Sequence, residues 1–174
     1  EQNTPQDKGE EKDNGKENAN TQKEDASKDK KAESTGKRVY IYDTHQDESY
    51  KGGKTVLDAA AILAQKLEDR GIKVVLETND FIRYRDTHGL TYNESYVVSY
   101  KYLNEALVNY GGFDMCLDLH RDSIPREASY INIDGKNYAK GMFVVGGLGK
   151  NAKTATRLST TLTDTINAKK NGIM

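Results

Sequence analysis

The run Arg38-Val39-Tyr40-Ile41-Tyr42, followed at once by Asp43-Thr44-His45-Gln46-Asp47-Glu48, decides the fold. Four of its first five residues are β-branched or aromatic, the composition of a buried strand. A second such run, Met115-Cys116-Leu117, leads into Asp118-Leu119-His120-Arg121-Asp122. Each strand ends just before a histidine, so two of the three histidines in the chain hold equivalent positions. Ligands of open α/β sheets bind at the carboxyl ends of the strands. Two imidazoles and a nearby carboxylate are a hydrolytic zinc set with one position left for water.

The rest of the folded part reads outward from these strands. Thr55 to Arg70 is a helix, with Val56, Ala60, Leu63 and Leu67 at helical spacing and Gly71 ending it. Ile72 to Leu76 is a second strand, and Asp80 to Thr91 a polar loop. Asn93 to Tyr110 is a second long helix with Tyr96, Leu103, Leu107 and Tyr110 on one face, closed by Gly111-Gly112. Asp114 to Leu119 is the third strand. Strand–helix–strand–helix–strand with short connections predicts an α/β fold: a mostly parallel sheet with helices on both faces. Ile131 to Tyr138 reads as a β-hairpin insertion turning at Asp134-Gly135. Gly141 to Val145 reads as a further buried strand. Asn151 caps a last helix carrying Ala155, Leu158, Leu162 and Ile166.

Bulk properties narrow the function. The chain has 174 residues and a net charge of −1, so nothing favours nucleic acid as a partner. No run is long enough to span a membrane. Residues 1–36 contain almost nothing apolar and cannot offset the roughly 1–2 kcal/mol per residue that ordering costs, so they read as a disordered tether. The domain is expected over 37–174. The opening Glu1-Gln2-Asn3 reads as a mature or engineered start. An α/β unit that stops two residues after Gly172, at Met174, reads as a domain shortened at its C-terminus. The single cysteine, Cys116, reads as a small buried hydrophobe.

The candidate metal ligands are His45, Glu48 and His120. His45 and Glu48 are three apart and reach one ion from a loop or first helical turn; His120 arrives from the third strand. Zinc bound there would lower the pKa of its water towards 7 and polarise a carbonyl. Asp43 and Asp118 each lie two residues before a candidate ligand and could fix an imidazole tautomer, or else stand as solvated or capping carboxylates. His88 reads as a surface residue. Glu94 competes as a carboxylate ligand but opens a helix, where an acid favours the dipole. Glu77, at the end of the second strand, reads as facing solvent. Lys54-Thr55 after Gly52-Gly53 lacks the glycine spacing of a nucleotide loop.

At these residues the chain resembles the stage II sporulation protein P family, within the zinc-dependent N-acetylmuramoyl-L-alanine amidases. The likeness runs from Lys37 to Met174 on Thr44-His45-Gln46-Asp47-Glu48-Ser49-Tyr50, Ser95-Tyr96-Val97-Val98-Ser99 and, most specifically, Asp118-Leu119-His120-Arg121-Asp122-Ser123. Ile133-Asp134-Gly135-Lys136 and Phe143-Val144-Val145-Gly146 also fit. The resemblance implies an amidase-like fold and a peptidoglycan hydrolase. Zinc (Zn2+) would be held by His45, Glu48 and His120, and the enzyme would cut the N-acetylmuramoyl–L-alanine amide and stem-peptide cross-links. It implies an extracytoplasmic, membrane-anchored protein at the sporulation septum. There it would act in engulfment with stage II sporulation proteins D and M. Two departures stand out. The family often has His-Thr-His where this chain has Asp43-Thr44-His45. The family's catalytic glutamate lies on a strand beyond the last helix, hence beyond Met174. The competing expectations are a non-catalytic peptidoglycan- or partner-binding module that keeps the zinc site, and a zinc deacylase of another polar substrate.

Overall fold

The computed structural model describes residues 34–174. Most of the expected tether, residues 1–33, lies outside the described residues. Five strands and four helices follow: β1 (Arg38–Tyr42), α1 (Val56–Glu68), β2 (Lys73–Leu76), α2 (Phe81–Thr87), α3 (Ser95–Tyr110), β3 (Met115–Asp118), β4 (Tyr130–Ile133), β5 (Lys136–Ala139) and α4 (Ala152–Lys169).

The fold is mixed α/β, built on a three-stranded parallel sheet in the order β2-β1-β3. The central strand is the one with the most continuous apolar character. Its residues alternate between the two faces. Val39 and Ile41 turn towards α1 and form the core with Ala60 and Ala64, flanked by Leu63, Leu67, Val74 and Leu117. Tyr40 and Tyr42 turn the other way and stack on each other at 5.3 Å. Tyr40 also stacks on Phe113 at 5.1 Å, just past α3, and the Arg38 guanidinium donates to the Tyr110 carbonyl at the end of α3.

Helix α1 starts where the sequence signals it. Thr55 is its N-cap, and Asp58 closes a capping box by accepting from the Thr55 N–H at 2.9 Å. Gly71, with φ of 77°, turns the chain out of the helix and into β2.

Four expectations are corrected. The segment 80–91 is not a loop throughout: Asp80 caps α2 by accepting from the Arg83 N–H at 2.8 Å, and Phe81 is buried. The polar run concealed a short helix held by one apolar residue. The buried side of α3 consists of Ser95, Val98, Ser99 and Ala106, while Tyr96, Leu107 and Tyr110 are exposed. Ser95 on that face meets the Arg85 guanidinium of α2 at 3.3 Å, where α2 and α3 pack together. Gly141–Val145 forms no strand; Met142 is 66% and Val144 86% exposed. Cys116 is exposed, because β3 is an edge strand flanked only by β1.

The C-terminal part is the expected hairpin followed by α4. Asp134 (φ 53°) and Gly135 (φ 76°) make the two-residue turn that matches strand twist. Helix α4 has no fully buried residue. Asn151 precedes it without a side-chain capping bond. Its end meets the hairpin where Lys170 faces Asp134 at 3.8 Å.

Candidate metal centre

Parallel pairing sets the site. In the β1–β3 register Tyr42 lies opposite Asp118, so both strands end at one level. The Leu119 N–H donates to the Tyr42 carbonyl at 2.9 Å and carries the pairing one step further. The two exit loops therefore leave side by side, and His45, Glu48 and His120 are brought together. The imidazole centroids of His45 and His120 are 5.5 Å apart. His120 Nδ1 lies 3.5 Å from Glu48, and its Nε2 lies 3.1 Å from Asp118.

Asp118 joins the two loops. Its carboxylate accepts from the Thr44 N–H at 2.9 Å and from the Thr44 hydroxyl at 2.5 Å while it faces His120. Glu48 accepts from the Arg121 N–H, which ties the first loop to the residue after His120. Gln46 braces the other side. Its Oε1 accepts from the buried Phe81 N–H and its Nε2 donates to the Asn79 carbonyl, each at 2.9 Å.

Asp43 differs from Asp118. It is 1% exposed, and neither carboxylate oxygen has a hydrogen-bond partner among the described residues. Burial, then the neighbouring Asp118, pushes its pKa up to about 7. His45 Nδ1 is likewise buried and unpartnered. Burial and the nearby His120 lower the pKa of His45. Burial also works against a charged His120, but Asp118 and Glu48 outweigh it, and its pKa is raised.

These features suit a cation. Two carboxylates, Glu48 and Asp118, face one partly buried imidazole, the Asp43 carboxylate lies buried without a partner, and buried polar atoms left so are costly. Two imidazoles and a carboxylate are the donors zinc takes. As they stand, no three His, Cys, Asp or Glu side chains among the described residues are already arranged around one point. His120 instead spans Glu48 and Asp118.

The remaining candidates lie elsewhere. His88 is exposed and ends α2, with Nδ1 2.8 Å from the Tyr84 carbonyl. Glu94 is spent on the Thr91 N–H and hydroxyl, both at 2.7 Å. Glu77 does not simply face solvent: it takes the Tyr40 hydroxyl and the Thr78 and Asn79 N–H groups. Two aromatic residues were missed by sequence reasoning. Tyr92 stacks on His45 at 4.2 Å and 15°, and Tyr96 meets it edge-on at 5.2 Å. Tyr96 carried signals only as part of a helix face and of the Ser95–Ser99 motif, and Tyr92 only through its spacing of four from Tyr96.

The family model for stage II sporulation protein P matches residues 1–174. Stage II sporulation protein P of Bacillus subtilis (strain 168) is 31% identical over 169 residues, covering 88% of this chain and 42% of the relative. The chain thus spans less than half the length of that relative. No solved structure gives a significant match. With the family model covering the whole chain, the resemblance read at the strand ends is borne out: the chain belongs to the stage II sporulation protein P family.

Proposed function

We propose that this chain is the zinc-holding part of a peptidoglycan hydrolase. The intact enzyme would have an amidase-like fold and cleave the N-acetylmuramoyl–L-alanine amide and stem-peptide cross-links during engulfment. The reading rests on one observation: His45, Glu48 and His120 converge at the carboxyl ends of neighbouring parallel strands, amid buried polar atoms without partners.

In this reading His45, Glu48 and His120 hold Zn2+. The metal supplies a bound water of pKa near 7 and a Lewis acid for the scissile carbonyl. The chain's own groups keep the ligands aimed. Asp118 holds the Nε2 side of His120, and the Arg121 N–H holds Glu48. The general base is the glutamate that the resemblance puts on a strand beyond Met174. Membrane anchoring, an extracytoplasmic site at the sporulation septum and action with stage II sporulation proteins D and M belong to the same proposal. No described helix is long and apolar enough to cross a membrane.

The second reading is a non-catalytic peptidoglycan- or partner-binding module that retains the zinc site. It is favoured by the state of the nearby carboxylates. Asp43 is sealed from solvent, and Asp118 is taken up by Thr44 and His120, so neither stands open as a base. Zinc content, dye release from labelled peptidoglycan and peptidoglycan pull-down separate the two, run on this chain and on one extended at its C-terminus. The hydrolase reading expects one zinc per chain, loss of zinc in His120→Ala and dye release by the extended chain. Pull-down without dye release by either chain favours the module. Full zinc content in His120→Ala defeats the ligand assignment.

A further inference from the structure

A ligand histidine is usually oriented by a hydrogen bond from its second ring nitrogen, which sets both ring plane and tautomer. His120 has such contacts on both nitrogens. His45 has none: among the described residues no hydrogen bond reaches its ring, and Nδ1 is buried without a partner. Yet the ring is almost wholly inaccessible, at 6% for the residue. Something other than hydrogen bonding must hold it.

Among the described residues, the only groups in ring-to-ring contact with it, apart from His120, are tyrosines. Tyr92 lies nearly parallel to the imidazole, 4.2 Å between centroids and 15° between planes. Tyr96 meets it at 90° and 5.2 Å. A parallel and a perpendicular neighbour together restrict rotation about the side chain's last bond, as aromatic pairs do through their quadrupoles. Tyr92 is itself fixed. It begins the turn Tyr92–Glu94, whose N-cap Thr91 and Glu94 form a capping box. The Arg85 guanidinium lies over its ring at 5.8 Å. Arg85 in turn reaches the Ser95 hydroxyl at 3.3 Å and Asp86 at 3.3 Å. Tyr92 is 48% exposed, so this contact is not an accident of core packing.

We propose that Tyr92, steadied by Arg85, is a positioning residue that fixes the ring plane of His45 in place of the missing hydrogen bond. An imidazole nitrogen binds a metal in the plane of its ring, so the plane decides where the ion sits. The consequence for metal affinity rests on the zinc reading; the clamp on the ring does not.

The test has two arms, each on the chain with Tyr92→Leu and Tyr92→Phe. In the metal-free protein, ring 1H–13C and 1H–15N spectra report on His45 directly. The wild type should give one set of ring signals shifted by the Tyr92 ring current. Tyr92→Phe should keep it. Tyr92→Leu should lose the shift and broaden or split the signals, while the backbone spectrum away from the site stays unchanged. Unaltered His45 ring signals in Tyr92→Leu overturn the proposal.

In the second arm Zn2+ affinity is measured by competition with a chromophoric chelator. Tyr92→Leu should weaken it roughly tenfold and Tyr92→Phe should restore it. In a His45→Ala background, Tyr92→Leu should have no further effect. Equal zinc affinity in wild type and Tyr92→Leu overturns the positioning role. Failure of the wild type to bind zinc defeats the metal reading alone, and the ring spectra then decide the clamp.

Discussion

Asp118 is the most heavily used side chain at the strand ends, and its removal gives a calculable loss. Thr44 is 1% exposed, and its N–H and hydroxyl both end on the Asp118 carboxylate, at 2.9 and 2.5 Å. In Asp118→Ala both donors lose their acceptor inside the protein. A buried donor left unsatisfied costs about 1–3 kcal/mol. The hydroxyl can swing to another acceptor and falls at the low end of that range. The N–H cannot. Part of the loss is offset, because Asp118 also repels the buried Asp43 carboxylate and helps hold its pKa up. The gross loss is about 2–4 kcal/mol and the net destabilisation expected is about 1–3 kcal/mol, a sizeable part of a domain stability of roughly 5–15 kcal/mol.

A double-mutant cycle isolates the hydroxyl bond. Thr44→Val deletes the hydroxyl and keeps the N–H. Asp118→Ala removes both acceptors, and the loss at the Thr44 N–H is common to both Thr44 backgrounds and cancels. Hydrogen bonds to charged groups are worth about 1.5–3 kcal/mol, so the coupling between the two variants should lie in that range. Urea unfolding followed by circular dichroism measures all four proteins, with equal m-values as the condition for comparison. A coupling below about 0.5 kcal/mol, within the additivity of independent sites, would refute the bridging role of Asp118.

Three other outcomes follow from single contacts. Gln46→Ala strips the buried Phe81 N–H of its acceptor and the Asn79 carbonyl of a donor, and should cost about 2–4 kcal/mol in urea unfolding; a loss under 1 kcal/mol would mean the brace is not closed in solution. Asp114 accepts from the Arg38 N–H and faces Lys37, which hold its pKa below the ordinary value. Its contribution is therefore present above the unfolded-state pKa of about 3.9 and disappears as pH falls through the lower folded value. Asp114→Asn should flatten the acid limb of the stability–pH curve below about pH 4 and leave its shape near pH 7 unchanged. An identical acid limb would count against the contact. Cys116 should react with iodoacetamide in the folded chain. The rate should be low near pH 7 and rise only at a pH above the usual thiol range, because desolvation of the sulfur raises its pKa; labelling only after denaturation would restore the buried-hydrophobe reading.

What the sequence made legible was local. Thr55 and Asp58 announce the start of α1 at the right residue, and the Asp134-Gly135 turn announces its hairpin, because caps and turns are decided within four residues. The gathering of His45, Glu48 and His120 was legible for a different reason. Parallel strands flush at their ends impose it, so two strand-end histidines sufficed. The Tyr92–His45 stack was not legible: it depends on how the Thr91 capping box and Arg85 on α2 aim a ring across the fold. Helix α2 itself was hidden by its charges, though Asp80 before Phe81 is an N-cap signal.

Gly141–Val145 shows why strand propensity differs in kind from a cap. Val144 and Val145 favour extended backbone, but a strand exists only where another strand offers its N–H and C=O groups in register. β3 is paired only to β1, so the sheet does offer an edge. The segment does not take it. Its first residues are committed elsewhere: the Lys140 N–H donates to the Ser129 carbonyl, extending the β4–β5 ladder, and the Gly141 N–H donates to the Ile173 carbonyl after α4. Those two bonds, at 2.9 and 2.8 Å, tie the start of the segment to the hairpin and to the turn after α4. The apolar run that follows is left exposed at Met142 and Val144, and Cys116 on the uncovered edge is exposed with it. The strand reading of 141–145 assumed a neighbouring strand, and pairing is a property of the sheet that no single segment carries.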